Sequence, residues 1–385
     1  MIQKYDVCIR GAGVAGRTLA LLLARERLRV ALVAKPTVSS APHSPTSPCD
    51  ASNEVRAYAL NTASKRLLES LRVWPEGPAT TPVQKMEIWG DHASQLDFTA
   101  QSMAQPALAW IVDLPALEQQ LIDAVRFQPQ IEWVQEPVKA ALQVICEGQK
   151  STSRNELGAS WTVKSYGQKA IAARLVSNKP HLGVARQWFN NGEILALLPL
   201  SDATAGPSGN SVALVWSVSA ERADSLQKLS KDDFCTALQA ACGEKPGHLE
   251  LTTERSSWPL ALSTADHWVG PGWALAGDAA HTVHPLAGQG LNLGLADVAE
   301  LAQVISQREY WRDLGDEKML RRYERARQAD VAAMSTVTDG LHSLFAQTDA
   351  RWQALRHWGL KGFAKSGPFK AWMIRQATGQ LAKRF

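Results

Sequence analysis

Tyr5-Asp6-Val7-Cys8-Ile9-Arg10, followed by Gly11-Ala12-Gly13-Val14-Ala15-Gly16, is the stretch that decides how this chain folds. The first six residues form a short apolar run of the kind that makes a buried strand, and the next six make a G-x-G-x-x-G turn. Arg17 to Glu26 then has helical spacing, with Leu19, Leu22 and Leu23 on one face, and Arg29 to Val33 reads as a second strand. Strand, glycine turn, helix and strand make a βαβ unit, so the fold class is α/β. In such a unit the glycines permit a tight turn and close backbone approach to a pyrophosphate. The helix start adds free N–H donors and partial positive charge. The six residues Gly11 to Gly16 therefore read as a dinucleotide-binding turn, with a purely structural glycine turn as the bland alternative. An acidic residue normally ends the second strand and bonds the ribose hydroxyls, but here Val33 is followed by Ala34 and Lys35. Losing a charge-assisted hydrogen bond of this kind costs on the order of 1.5–3 kcal/mol, so looser cofactor binding is expected.

Working outward, Val38 to Ser52 is rich in Ser, Pro and Ala and reads as a loop, and Asn61 to Leu71 has helical periodicity. Met86 to Trp89 and Ala109 to Val112 predict strands, and Leu114 to Val125 predicts a helix. Ala170 to Val176, Ile194 to Leu198 and Val212 to Val218 are apolar runs of strand length separated by turn residues, which points to a second, sheet-based domain. Ala274-Leu275 closes another buried strand, Leu291 to Ile305 predicts a strong helix, and the chain from Glu317 to Gly359 reads as helical.

A second motif lies far along the chain. It runs Ala276-Gly277-Asp278-Ala279-Ala280-His281, then His284-Pro285-Leu286-Ala287-Gly288-Gln289-Gly290-Leu291-Asn292, then Asp297. A strand ending in Gly-Asp can aim a carboxylate at a sugar-like hydroxyl chain. Gly288 to Asn292 makes a glycine-rich helix entry able to stabilise negative charge, and His284 and Pro285 shape the loop between. Asp297 reads as a residue that caps or pairs within its own helix. His281 and His284 lack a third ligand nearby, so no metal site is expected.

The pattern GDAAHxxHPxAGQGxNxGxxD resembles that of the FAD-dependent aromatic hydroxylases, in particular the monooxygenases of ubiquinone biosynthesis. Glu54 to Leu60 (EVRAYAL), Ser211 to Trp216, Trp258-Pro259-Leu260 and Arg321 to Phe345 fit the same family, so the resemblance covers nearly the whole chain. It implies a Rossmann-like FAD-binding domain, an interleaved mixed-sheet substrate domain and a helical C-terminus. The corresponding residues are 1–65, 110–160 and 255–345 for FAD, 66–109 and 161–254 for substrate, and 346–385 for a basic helical segment. The implied reaction reduces FAD with NAD(P)H as a transient co-substrate, and molecular oxygen then gives a flavin hydroperoxide that hydroxylates the ring of a polyprenylated phenol. The implied cofactor residues are Gly11, Ala12, Gly13, Val14, Ala15, Gly16, Arg56, Gly277, Asp278, Pro285, Gly288, Gly290, Leu291 and Asn292. No catalytic base is implied, because the flavin is the reagent.

Two departures from the family pattern stand out. The usual A-D-G-x-x-S-x-x-R becomes Cys146-Glu147-Gly148-Gln149-Lys150-Ser151-Thr152-Ser153-Arg154, with an acid one methylene longer. The family also places a small antiparallel meander just before this motif. Only sixteen residues run from Ile131 to Cys146, whereas three strands with their turns need about 20 or more. The meander is expected to be deleted or cut to one strand.

At 385 residues, 45% hydrophobic and 20% charged, the chain can bury a large core. Five scattered cysteines without a CxxC pair suit a reducing, cytoplasmic setting. The first ten residues leave no room for a signal peptide, and no apolar run reaches the roughly 18 residues of a membrane span. Arg351 to Phe385 carries eight basic residues and no acidic one, so the rest of a chain of net charge +4 is at −4. With Trp352, Trp358, Phe363, Phe369 and Trp372, this tail suits peripheral contact with the inner face of an anionic membrane or an acidic partner, such as another ubiquinone-biosynthesis protein. A helix pair packed on its own domain explains it equally well. No nucleic-acid motif accompanies the charge. Against the hydroxylase stands a second reading, an accessory subunit weakened in catalysis, motivated by Ala34, Glu147, the short 131–146 region and the tail. A third keeps the flavin but reduces or dehydrogenates a lipid.

Overall fold

The structure is a computed structural model that describes residues 4–34, 55–90, 95–201, 209–283 and 289–346. The chain opens with β1 (Tyr5–Arg10), α1 (Val14–Arg25) and β2 (Val30–Val33), as the glycine motif requires. It continues through β3 (Ala57–Leu60), α2 (Thr62–Ser70), β4 (Thr80–Val83), β5 (Lys85–Trp89), β6 (Gln95–Thr99), β7 (Ala109–Asp113) and α3 (Leu114–Arg126). Next come β8 (Ile131–Val134), β9 (Ala140–Ile145) and a short helix, α4 (Thr152–Glu156).

Six strands form a sheet around β1, which pairs in parallel with β2 on one side and β9 on the other. β8 extends it beyond β2, while β17 (Trp273–Leu275) and β16 (Val269–Gly270) extend it beyond β9. Val7, Cys8 and Ile9 are all fully buried, the continuous apolar run of a parallel strand covered on both faces. Val7, Ile9, Val30 and Leu32 face a large core filled by Leu19 and Leu23 of α1, Leu117 and Leu121 of α3, and Leu295, Val298 and Leu301 of α7 (Gln289–Ser306). Cys8 and Ala31 point the opposite way, into a small cluster with Tyr5 and Val33 against which Val134, Val138 and Ala140 pack.

The short 131–146 region shapes that second face. β8 and β9 both enter the parallel sheet, and only residues 135–139 join them, so the deletion of the meander is complete and no residual strand stands between them. The link is tied down where Gln143 Nε2 donates to the Val138 carbonyl at 2.8 Å.

The larger sheet is mixed. β18 (His281–Thr282), β15 (Ser256–Ala265), β10 (Trp161–Ser177), β13 (Ser211–Ser219), β12 (Glu193–Leu200), β11 (Val184–Asn190), β5 and β6 follow one another, and β14 (Leu249–Leu251) pairs β10 at the side. All pairs are antiparallel except β11 with β5. Trp188, Leu195, Leu197, Leu214 and Trp216 pack on one face, under α5 (Ala220–Lys228) and α6 (Lys231–Cys242), whose Phe234 is fully buried. The boundary expected at residue 255 falls just before β15, which pairs with β10 in this larger sheet. β3, β7 and β4 form a third, three-stranded sheet that crosses between the other two. The last described helix, α8 (Glu317–Ala346), packs along α7 and β16.

Candidate functional site

Each glycine of the first turn has its own reason. Gly11 has φ +108°, and a Cβ there would sit 2.4 Å from the Cys146 carbonyl oxygen at the end of β9. At Gly16 a Cβ would meet the Gly11 oxygen at 1.9 Å, so no side chain fits while α1 keeps its place on the turn. Gly13 is different: nothing lies within 4 Å of its would-be Cβ. It caps α1 without a side-chain hydrogen bond, which leaves the first-turn N–H groups facing open space, a cradle for an anion. Val14 is buried in the core behind the turn, and Ala12 and Ala15 are half-buried beside it. Burial pushes the Cys146 thiol up to about 12, with Asp297 and Glu147 adding to the rise, so this thiol is a packing group.

β17 delivers the second motif to the same end of the sheet. Gly277 takes φ +64°, its would-be Cβ lies 3.6 Å from the Ala15 methyl, and the Cα of Gly277 is 3.4 Å from where a Cβ of Gly294 would be. The Gly-Asp turn, α1 and α7 thus meet at their glycines. Asp278 projects from this turn and is exposed to solvent. Crowding by the surrounding protein raises its pKa above the usual carboxylate range, with His281 opposing the rise and Asp297 adding to it.

Asp297 is a hub that joins three elements, which corrects the expectation that it pairs within its own helix. Its Oδ2 accepts from the Gly277 N–H at 2.9 Å and lies 2.7 Å from His281 Nε2, and its Oδ1 accepts from Arg327 Nε of α8 at 2.8 Å. The carboxylate is fully buried. Burial alone would raise its pKa, but His281 and Arg327 outweigh that and hold it below the ordinary value. His281 stacks on Trp268 with ring centroids 4.8 Å apart, and the Tyr323 hydroxyl donates to the Leu275 carbonyl at 2.7 Å. α8 therefore grips the strand and turn that carry Asp278.

Asn292, expected to meet a cofactor, spends its side chain within the protein. Its Oδ1 accepts from Asn61 N–H at 2.9 Å and Ser64 hydroxyl at 2.7 Å, and its Nδ2 donates to the Ala59 carbonyl at 2.7 Å. Its structural effect is to staple the start of α7 to β3 and α2. Gly290 has nothing within 4 Å of a would-be Cβ, and Leu291 is half-buried against the core. His284, Pro285 and Gly288 lie outside the described residues. Glu147 also turns inward: it accepts from the Ser151 and Ser153 hydroxyls, both at 2.8 Å, and so caps the short helix that follows. Arg154 donates to the Ala279 and Gln149 carbonyls and lies flat on Trp161, 3.6 Å from the ring centroid.

Arg56, exposed to solvent, lines an apolar cavity between β3 and the larger sheet. Val55, Ala57 and Tyr58 line the β3 side, and Ala172, Ile194, Ala196, Leu198, Ala213 and Val215 line the sheet side, with Trp258 beside them. Gln187 and Ser217 are the buried polar residues on its wall. Neither was singled out from the sequence. β11 and β13 place every second residue on this face, and Gln187 and Ser217 fall among apolar residues on it, a pattern that shows only once strand order is known. An apolar wall with a few placed polar groups is the kind of surface a small organic ligand binds.

Residues 118–338 match the FAD binding domain family. The chain belongs to that family. It is a flavoprotein of the FAD-dependent monooxygenases, and its cofactor is FAD. Among its relatives, the 3-demethoxyubiquinol 3-hydroxylase of Escherichia coli is 29% identical, with 98% of this chain and 99% of that one covered. The ubiquinone hydroxylase UbiL of Rhodospirillum rubrum is 28% identical over 98% of this chain and 90% of its own length. In structure the chain is similar to p-nitrophenol 4-monooxygenase PnpA of Pseudomonas putida, with a TM-score of 0.72, 15% identity and full coverage of both chains. No helix among the described residues is long and apolar enough to cross a membrane.

Proposed function

We infer that this chain hydroxylates the aromatic ring of a polyprenylated phenol in ubiquinone biosynthesis, with FAD as cofactor, NAD(P)H as reductant and molecular oxygen as co-substrate. The observation that carries the reading is the meeting of the nucleotide-binding turns with the apolar cavity through β3, which touches α7 on one side and lines the cavity on the other. The similarity to two ubiquinone hydroxylases along nearly the whole chain supports the substrate class.

The residues present fit FAD. The uncapped start of α1 and the open Gly13 suit its pyrophosphate, with Gly11, Ala12, Val14, Ala15 and Gly16 fixing the turn. Asp278, on the turn set by Gly277, suits the hydroxyls of its ribityl chain. Gly290 and Leu291 at the start of α7 suit the pyrimidine end of its ring, and Asn292 holds that helix entry in place; Pro285 and Gly288, outside the described residues, are assigned to the cofactor by the family resemblance alone. Arg56 contributes positive charge where the two spaces join. Bound there, FAD supplies the redox chemistry and oxygen activation. The chain's own residues bind and orient the two partners and exclude water through the apolar cavity walls.

The accessory-subunit reading is not favoured. Glu147 is satisfied as a helix cap, and loss of the meander leaves the β1–β9 pairing and the glycine turn in register. Membrane contact and protein partners are proposed for residues 351–385, which lie outside the described residues, and removal of those residues is expected to abolish salt-sensitive sedimentation with anionic vesicles.

The test is to load the protein with FAD, follow NADPH oxidation with a prenylated phenol, and analyse the product formed under isotope-labelled O₂. The expected result is one labelled oxygen in the ring product. Phenol-stimulated oxidation with no label in any product would overturn the hydroxylase reading.

A further inference from the structure

The cavity wall carries a pattern that the family resemblance does not explain. Across β11, β12 and β13 the residues turned to the cavity are small or apolar, except at two places. Gln187 of β11 pairs across with Ala196, which pairs in turn with Val215; two residues along, Ile194 pairs with Ser217 of β13. Gln187 and Ser217 thus stand at opposite corners of a flat apolar floor made by Ile194, Ala196 and Val215. Gln187 is 6% exposed and Ser217 3%. Both line the cavity, and neither side chain has a hydrogen-bond partner among the described residues.

Neither side chain is among the polar atoms sealed inside the protein without a partner; both keep access to the cavity, so the cavity is where their hydrogen bonds are made. Water can serve them while the cavity is open. A ligand that displaces this water must replace its hydrogen bonds or leave the groups stranded, which penalises apolar ligands more than it rewards polar ones. The two residues are two strands apart and offset by two residues along them, about 10 Å across and about 7 Å along, so roughly 12 Å between their backbone positions. That span suits one aromatic ring with an oxygen on each of two opposite edges and a hydrogen bond of about 2.8 Å at either end.

Resting on the hydroxylase reading, the geometry points to Gln187 and Ser217 as the specificity-determining residues of the substrate site. They bind oxygen substituents on opposite edges of a single ring that lies on the Ile194–Ala196–Val215 floor. The Gln187 amide can donate or accept, so it takes a hydroxyl or an ether oxygen, and the Ser217 hydroxyl does the same. The ligand class is a ring bearing two oxygens, with its prenyl chain leaving along the apolar remainder of the cavity.

The test is equilibrium dialysis of the FAD-loaded protein, without NADPH, against two probes: 4-methoxy-2-prenylphenol, with two ring oxygens, and prenylbenzene, with none. Wild type should prefer the oxygenated probe by at least about a hundredfold. Gln187→Leu and Ser217→Ala should each cut that preference about tenfold while prenylbenzene binds as before, a pattern that a general loss of packing does not produce. Retained flavin absorbance shows that each variant is folded. The proposal is overturned if either variant keeps the wild-type preference, or if wild type shows none. Labelled-oxygen incorporation by wild type with an unmoved preference would sink this assignment alone. A moved preference with no incorporation would keep the binding residues and sink the hydroxylation.

Discussion

On the side built from the glycine turn, the Gly-Asp turn and α7, buried polar groups answer one another: Asp297 serves Gly277, His281 and Arg327 at once, and Asn292 has three partners. On the side built from β11, β12 and β13, Gln187 and Ser217 stand among apolar neighbours with no protein partner among the described residues. The first wall is held in place by these bonds before a cofactor arrives, although Arg17 and Thr18 of α1 keep buried side-chain atoms without a partner among the described residues, and what it offers is backbone N–H groups and open glycines. The second is completed only by its ligand. A resident cofactor needs one fixed geometry, whereas a substrate that enters and leaves needs polar groups left free for it.

If the nucleotide wall is pre-paired in this way, breaking its hub should have the largest effect. Asp297→Asn keeps an acceptor for the Gly277 N–H but leaves the Arg327 guanidinium buried beside a neutral amide. Removing one partner of a buried pair costs about 3–5 kcal/mol, and the lower end is expected because Asp330 still meets Arg327 at 2.5 Å. Chemical denaturation of the FAD-free protein reads this directly. The loss must depend on pH, because the native pKa of Asp297 is depressed below its unfolded value of about 3.9. Its stabilising contribution is therefore present above about pH 4 and lost as pH falls through the native pKa, so wild type and Asp297→Asn should converge in acid. A gap that stays constant down to pH 3 would mean the carboxylate charge is not what holds the hub.

The glycines sharpen the comparison within one turn. Gly16→Ala drives a Cβ into the Gly11 carbonyl and should cost about 1–3 kcal/mol of stability with or without cofactor. Gly13→Ala meets no protein atom, so the FAD-free protein should unfold as wild type does while FAD affinity, measured by flavin fluorescence, falls about tenfold. Equal FAD affinity for wild type and Gly13→Ala would show that the open space at Gly13 is not where the pyrophosphate sits.

These contrasts explain how much could be read in advance. The βαβ unit and the second motif were legible because their chemistry is local: six consecutive residues make the turn, and Gly277 and Asp278 are neighbours. The helix at Asn61 to Leu71 was legible for the same reason, and Asn61 does cap it, accepting from the Ser64 N–H at 2.9 Å. The role of Asp297 was not legible, because its partners lie twenty and thirty residues away, on a turn and on another helix. Gln187 and Ser217 escaped notice because a lone polar residue in a strand says nothing until strand order and register set its neighbours. β11 itself was missed: its alternation is broken by Trp188 and Phe189, both buried.

Asp278 sets function against stability on the nucleotide wall. Its pKa is raised, chiefly by loss of water, so the folded FAD-free protein disfavours the charge. A raised carboxylate contributes stability below its unfolded pKa and loses it as pH climbs through the native value. Asp278→Asn should therefore leave the FAD-free protein at least as stable as wild type near neutral pH, while weakening FAD by about tenfold through loss of a charge-assisted acceptor. A variant less stable at neutral pH would mean that Asp278 carries a structural bond, and would remove it from the cofactor wall.

The smallest effect expected is a gain, at Ala34, where the nucleotide wall lacks the acidic residue of its pattern. The Ala34 N–H donates to the Val134 carbonyl at 3.1 Å, so β2 runs to its end beside β8 with the backbone in register and only the acidic side chain missing. Ala34→Glu supplies that side chain at a half-buried position without removing any hydrogen bond. If the ribose hydroxyls lie there, FAD should bind severalfold more tightly, up to about tenfold, the value of one hydrogen bond to a charged group. The gain should appear as slower flavin release on dilution with no change in the Gln187-dependent preference for oxygenated rings, because the two walls act separately. Unchanged FAD affinity would place the ribose acceptor on another residue and remove the main reason to expect weak cofactor binding in this chain.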